Sequence, residues 1–214
     1  MPRVEEVEAD VQKKVVKAAE QDRPDVAQRR AEWIVRQAGL DPEKLLFLDE
    51  FGAKTNFTRT HGRSLEGTRL VAKVPYGHWK STTFVGALGL RGWVAPLVID
   101  GALNGELFRA YVEQQLAPQL SKGDILILDN LACHKVAGVR AALQRVGADV
   151  LYLPPYSPDF NPIEQAFSKL KRLLSSAAAR TVDALWHACG AELAKFHPGE
   201  FQNYLAHCGY KRYS

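Results

Sequence analysis

Hydrophobic positions recur at helical spacing near the start of the chain. Val4, Val7, Val11 and Val15 share one side over residues 4–19, which predicts a helix. Arg23-Pro24 interrupts that pattern. A second helix is expected to follow, with Val26, Trp33 and Ile34 on one face and Gly39 as its stop. Leu45–Leu48 is a short apolar run of strand length, and Phe51-Gly52 reads as the loop after it. Residues 57–80 lose all periodicity. Thr82–Leu90 and Trp93–Ile99 then read as two strands joined at Arg91-Gly92, a hairpin signal. Asn104 opens a helix through Leu107, Phe108, Tyr111, Val112 and Leu116, ending at Pro118 or Leu120.

Four further elements are expected: a strand Ile125–Leu128, a helix Lys135–Val146 closed by Gly147, a strand Val150–Leu153, and a helix from Pro162 to about Ala178. Val182–Phe196 reads as one more helix. The aromatic, basic tail from His197 to Ser214 fits no periodic template. The order strand, hairpin, helix, strand, helix, strand, helix is α/β, a mixed sheet covered by helices. It matches a ribonuclease-H-like arrangement. The expected division is a helical arm or linker over 1–40, a catalytic domain over 41–198 and a tail over 199–214.

Charge and composition narrow the function. The 214 residues are 46% hydrophobic and 24% charged, the balance of an ordinary globular chain. No apolar run approaches the roughly 18 residues that read as a membrane span, and the acidic N-terminus lacks the apolar core of a signal peptide. A cytoplasmic protein without a membrane partner is expected. Three scattered cysteines, with no CxxC pair, argue against a disulfide framework or a zinc site. Residues 1–40 carry eight basic and eight acidic side chains, so the net charge of +4 arises beyond them. That excess permits nucleic-acid binding without requiring it.

The chemistry is expected at three acids. Asp49 ends the run LLFLD, Asp129 ends ILILD, and Glu164 lies in the first turn of the helix after PPYSPDFNP. Strand carboxyl ends in a parallel core face one edge, where ligands gather. If the Asp49 and Asp129 strands are neighbours, about 4.8 Å apart, two charges at about 5 Å repel by roughly 3 kcal/mol at an effective dielectric near 20. A proton or a cation relieves that repulsion. Oxygen ligands with no histidine or cysteine at metal spacing favour Mg²⁺ or Mn²⁺ over zinc. Each acid also has an ordinary reading: Asp49 as a strand end, Asp129-Asn130 as an Asx turn, and Asn161-Pro162-Ile163-Glu164 as a capping box.

Candidate DNA contacts are Arg63, Arg69, Lys73 and Lys80, in a basic loop that also holds Tyr76 and Trp79. Lys171 and Arg172 are added on the polar side of the Glu164 helix, and His134 after Asp129, which could contact DNA or assist proton transfer, although a histidine at a helix start is more often structural. No GxSxG elbow, P-loop or Rossmann glycine fingerprint is present.

At LLFLDEFG, ILILDNLACHK and LPPYSPDFNPIEQAFSKLK the sequence resembles the three acidic motifs of DDE transposases. The nearest group is the bacterial insertion-sequence branch of the mariner-like superfamily. The 34 residues between Asp129 and Glu164 are that group's spacing. The resemblance implies a ribonuclease-H-like core on which Asp49, Asp129 and Glu164 bind two divalent ions, Mg²⁺ or Mn²⁺. It implies hydrolysis at transposon ends to free a 3′-hydroxyl, which attacks target DNA, commonly at TA, without a covalent enzyme intermediate. The implied partners are end and target DNA and a second copy in a homodimer. Relatives carry N-terminal helix-turn-helix modules, and residues 1–40 match only the linker end of such a region. The chain then reads as the catalytic product of a split reading frame, with a separate N-terminal polypeptide for end recognition, as a truncated form, or as a decayed copy. Two competing readings are a DNA-binding remnant that cleaves nothing and a nuclease of the same fold acting on another nucleic acid.

Overall fold

The computed structural model describes residues 18–59, 61–71, 73 and 81–211. The expected helix with Val4 to Val15, and Tyr76, Trp79 and Lys80 of the basic loop, lie outside these residues. α1 spans Pro24–Gln37, with Pro24 in its first turn. Val26 and Trp33 are buried as expected, but Ile34 is 57% exposed and Gln37 takes the inward place. Seven residues separate Val26 from Trp33 and four separate Trp33 from Gln37, so all three fall on one stripe; Ile34 lies a residue outside it.

β1 is Leu45–Lys54, longer than the apolar run. Phe51-Gly52 is strand rather than loop because β2, Ser81–Gly89, pairs antiparallel along all of it, from Leu46 opposite Gly89 to Lys54 opposite Ser81. β3 is Gly92–Asp100, and the turn into it uses Gly92 at φ 129°, a backbone angle that favours glycine. α2, Gly105–Tyr111, is capped by the Asn104 side chain accepting from the Leu107 amide at 2.9 Å. It runs on through a π turn and a 3₁₀ turn to Gln119.

β4 is Ile125–Leu128, as expected. The next helix begins later than the pattern suggested. Residues 132–135 form a 3₁₀ turn, Gly138 stands at φ 97°, and α3 is only Val139–Arg145. β5 is Asp149–Tyr152, α4 is Ile163–Ala177 and α5 is Val182–Leu193. The unplaced tail contains α6, Pro198–His207.

The sheet order is β3-β2-β1-β4-β5, with β1, β4 and β5 parallel and the hairpin antiparallel. Period-two alternation divides β1 between two cores. Leu45, Phe47, Phe51 and Ala53 join α1, α4, α5 and α6 on one face. Leu46 and Leu48 join α2 and α3 on the other.

The tail closes the first core next to the loop before α4. Tyr210 is buried against Phe47, accepts from Trp33 Nε1 at 3.2 Å and donates to the Phe160 carbonyl at 2.9 Å. Arg30 grips the same loop, donating to Ser157 at 2.8 Å and to both Asp159 oxygens at 2.9 and 2.6 Å. Tyr210→Phe leaves the buried Trp33 N–H and Phe160 carbonyl without their partner. It is expected to cost about 1–3 kcal/mol, measured as a shift of the urea midpoint with an unchanged slope.

Candidate active site

The β1–β4 register pairs Phe47 with Ile127. Carried two residues on, it brings Asp49 level with Asp129, just past the end of β4. α4 presents Glu164 one residue into its first turn. Asp49, Asp129 and Glu164 line one cleft of about 450 Å³, walled by Pro154, Pro155 and Tyr156. Three segments far apart in the chain thus converge on one pocket.

Asp49 is only 8% exposed. One oxygen accepts from the Glu50 amide at 2.8 Å and the other from Asn161 Nδ2 at 3.0 Å. Burial pushes its carboxyl up, the Glu50 amide bond opposes, and the charges of Glu164, Glu50 and Asp129 add to the rise, to about 7. Asn161 therefore serves Asp49. The expected capping box does not form: Pro162 is the cap residue, and α4 starts without a side-chain cap.

Asp129 forms the expected turn. Leu131 donates its amide to Oδ1 at 3.0 Å, an Asx turn, and the same carboxylate lies in the cleft. Burial pushes this carboxyl up. The hydrogen bond from His134, the Leu131 amide and the charges of His134 and Lys135 outweigh burial and hold it below the usual range. Asp49 and Asp129 are thus driven apart: one tends to hold a proton near neutral pH, the other stays ionised.

His134 explains part of that division. Its ring has no exposed surface and packs against Phe108. Nδ1 lies 2.7 Å from Asp129 Oδ1 and Nε2 lies 3.0 Å from Glu50 Oε2. Burial pushes the imidazole down, but the bonds to Asp129 and Glu50 overcome it and raise it to about 9. A ring with no exposed surface has none to offer DNA, so the expected DNA contact is replaced by an ionic strut behind Asp129.

The other nominated cations lie apart from the acids. Arg63, Arg69 and Lys73 are exposed, and none lines the cleft. Lys171 places Nζ over the Phe51 ring at 4.9 Å and the Phe167 ring at 5.9 Å, while Arg172 is exposed. Sequence reasoning missed Glu50 and Asn161. Alternation alone places Glu50 on the opposite face from Asp49, facing whatever follows β4. Nothing local marked Asn161, because the cap reading accounted for it.

The donor set suits a hard cation: three carboxylates, no thiol, and one buried carboxyl that would release its proton to a cation. The ligand atoms of Glu50, Cys133 and His134 lie within 4.8 Å of one another on the far side of Asp129. That tighter group is organised by His134, whose two nitrogens are both engaged.

The family described as DDE superfamily endonuclease matches residues 44–186, which include all three acids. The chain belongs to this family. Its fold is the ribonuclease-H-like mixed sheet with flanking helices of transposase catalytic cores. It is similar to the Mos1 transposase paired-end complex with left transposon end, at TM-score 0.72 and 13% identity, covering 93% of this chain and 63% of that one. It is also similar to the Mos1 mariner paired-end complex with Mn, at 0.65 and 13%, covering 92% and 63%. For the Mos1 strand transfer complex the values are 0.63 and 15%, covering 96% and 67%. At these identities the likeness is one of fold. The chain spans a little under two thirds of the length of the first of these relatives. No curated protein matches it. Among the described residues, no helix is long and apolar enough to cross a membrane.

Proposed function

We propose that this chain is the catalytic domain of a DDE transposase of the mariner-like, insertion-sequence type. On this reading it cleaves DNA at transposon ends and joins the freed 3′-hydroxyl to target DNA, using Asp49, Asp129 and Glu164. The observation that carries the reading is the convergence of these acids on one cleft, with the Asp49 carboxyl raised to about 7 by burial and by its acidic neighbours. A fold retains so unfavourable a group where a cation or a proton is needed. The two relatives named for Mn and for left transposon end support a divalent ion and a DNA substrate.

The three acids would hold two ions, Mg²⁺ or Mn²⁺. When bound, such ions neutralise phosphate charge and activate the attacking oxygen. The chain's own part is positioning. Asn161 and the Glu50 amide fix both oxygens of Asp49. His134 and the Leu131 amide fix Oδ1 of Asp129, and its other oxygen takes no hydrogen bond among the described residues. Glu164 is exposed and takes no side-chain bond among the described residues, so it is the acid free to adjust as substrate enters. Residues 41–198 would form the catalytic domain, with 1–40 as its arm and 199–214 as its tail, each contributing side chains, Trp33 and Tyr210 among them, to the first core. A homodimer pairing two ends, working at the nucleoid, completes the proposal.

Thermal unfolding with and without Mg²⁺ or Mn²⁺ tests the site. Wild type should gain about 1.4 kcal/mol at ten times the dissociation constant, and Asp129→Asn should gain nothing. Metal-dependent nicking of end DNA should follow the same pattern. If metal stabilises neither protein and neither nicks DNA, the catalytic reading gives way to that of a DNA-binding remnant.

A further inference from the structure

The cleft of the three acids does not stop at Pro155. A second cleft of about 260 Å³ adjoins it, sharing Asn130, Leu153, Pro154 and Pro155, and its outer wall is α1. Arg29 and Arg36 stand on that wall, seven residues and therefore two helical turns apart, on the face that also buries Trp33. Both are exposed, and neither forms an ion pair among the described residues. By contrast Arg30, one position away, is bound to Asp159 at 2.6 Å. On the opposite side Lys135 places its ammonium 5.5 Å over the Tyr152 ring and donates to Asn130 at 2.8 Å. The one acid on this stretch of wall, Glu32, accepts from Gln28 at 2.9 Å.

We propose that the second cleft is a binding track for the DNA strand that passes the three acids, with Arg29 and Arg36 of α1 holding its phosphates. Charge complementarity selects this occupant. Exposed guanidinium groups without an ion pair among the described residues line a channel that continues from the acidic pocket, and a polyanion entering that pocket needs cations just outside it. Bare carboxylates repel the strand at the centre, so binding strength must come from the flank. The proposal rests on the reading of the acid cleft as a phosphodiester site. It assigns to α1 a substrate-binding role in place of a linker's.

The test is binding of a short fluorescein-labelled duplex of arbitrary sequence to the full chain, without metal, by anisotropy across a salt series. Each neutralised phosphate contributes about 0.9 to the slope of log affinity against log salt on B-DNA. Arg29→Ala/Arg36→Ala should therefore lower the slope by about 1.8 and keep the wild-type melting temperature, since both side chains are exposed. Arg91→Ala/Arg145→Ala removes the same charge at exposed positions away from both clefts, and should leave the slope unchanged. An unaltered slope in the α1 pair, an equal drop in the control pair, or no binding by wild type overturns the proposal. Because the assay contains no metal and no cleavage step, it does not require the acids to be catalytic. An α1 pair that binds and cleaves like wild type removes the track and leaves the acid site standing. Acid variants that still cleave remove the site and leave the binding result intact.

Discussion

Asp49→Asn should abolish metal-dependent cleavage, by at least about 10²–10³-fold, while the metal-free protein becomes more stable near neutral pH. The two effects have one cause. Asp49 sits 8% exposed among Glu50, Asp129 and Glu164, and its carboxyl is raised from 3.8 to about 7. Between those values the folded protein holds a proton that the unfolded chain has released, so stability falls as pH rises from about 4 to about 7. A shift of this size corresponds to about 4 kcal/mol when Asp49 is fully ionised. An asparagine removes the charge and keeps an oxygen for the Glu50 amide, and Asn161 can turn its own amide to satisfy the new NH₂. The measurement is urea unfolding of both proteins at pH 4, 5.5, 7 and 8 without metal. Wild type should lose stability across that range more steeply than the variant. Parallel curves would mean that Asp49 ionises freely and that the acids are not electrostatically coupled. For the same reason, metal affinity in wild type should rise with pH through about 7, because the cation must displace the Asp49 proton.

His134→Ala is expected to destabilise by about 3 kcal/mol or more at pH 6, and to do so less as pH rises. The imidazole is raised from 6.5 to about 9 by Asp129 and Glu50. Its contribution is therefore fully present below 6.5 and is lost as pH climbs to about 9. Removing the ring leaves a cavity beside Phe108 and two carboxylates without the cation between them. Asp129, freed of its partner, should also titrate higher. Stability of the variant should then be flatter than wild type between pH 6.5 and 9, as judged by thermal midpoints in metal-free buffer. A variant that tracks wild type across this window would show the ring to be neutral filler.

Asp49 and Asp129 show how far sequence alone reaches. The apolar runs LLFL and ILIL announced two strands, each followed by an acid. Burial of both faces in a parallel core accounts for such runs. The family resemblance rested on the same strings. These are local signals: hydrophobic period, turn chemistry and spacing. Where expectation and structure parted, the cause was a partner distant in sequence. β1 runs on through Phe51 and Gly52 because β2 supplies hydrogen bonds there. The helix after β4 starts at Val139 because a 3₁₀ turn first aims His134 inward between Asp129 and Glu50.

The sequence by itself thus determined the α/β order, the two strand-end acids and the helix that carries a third, because each is written in periodicity within a dozen residues. Only the tertiary structure decided that Asp49 is buried and Glu164 exposed, that Asn161 bonds Asp49 instead of capping α4, and that Tyr210 from an unpatterned tail holds the loop before Glu164. Burial, charge coupling and the choice of hydrogen-bond partner depend on which segments meet in space, and spacing along the chain does not encode that meeting.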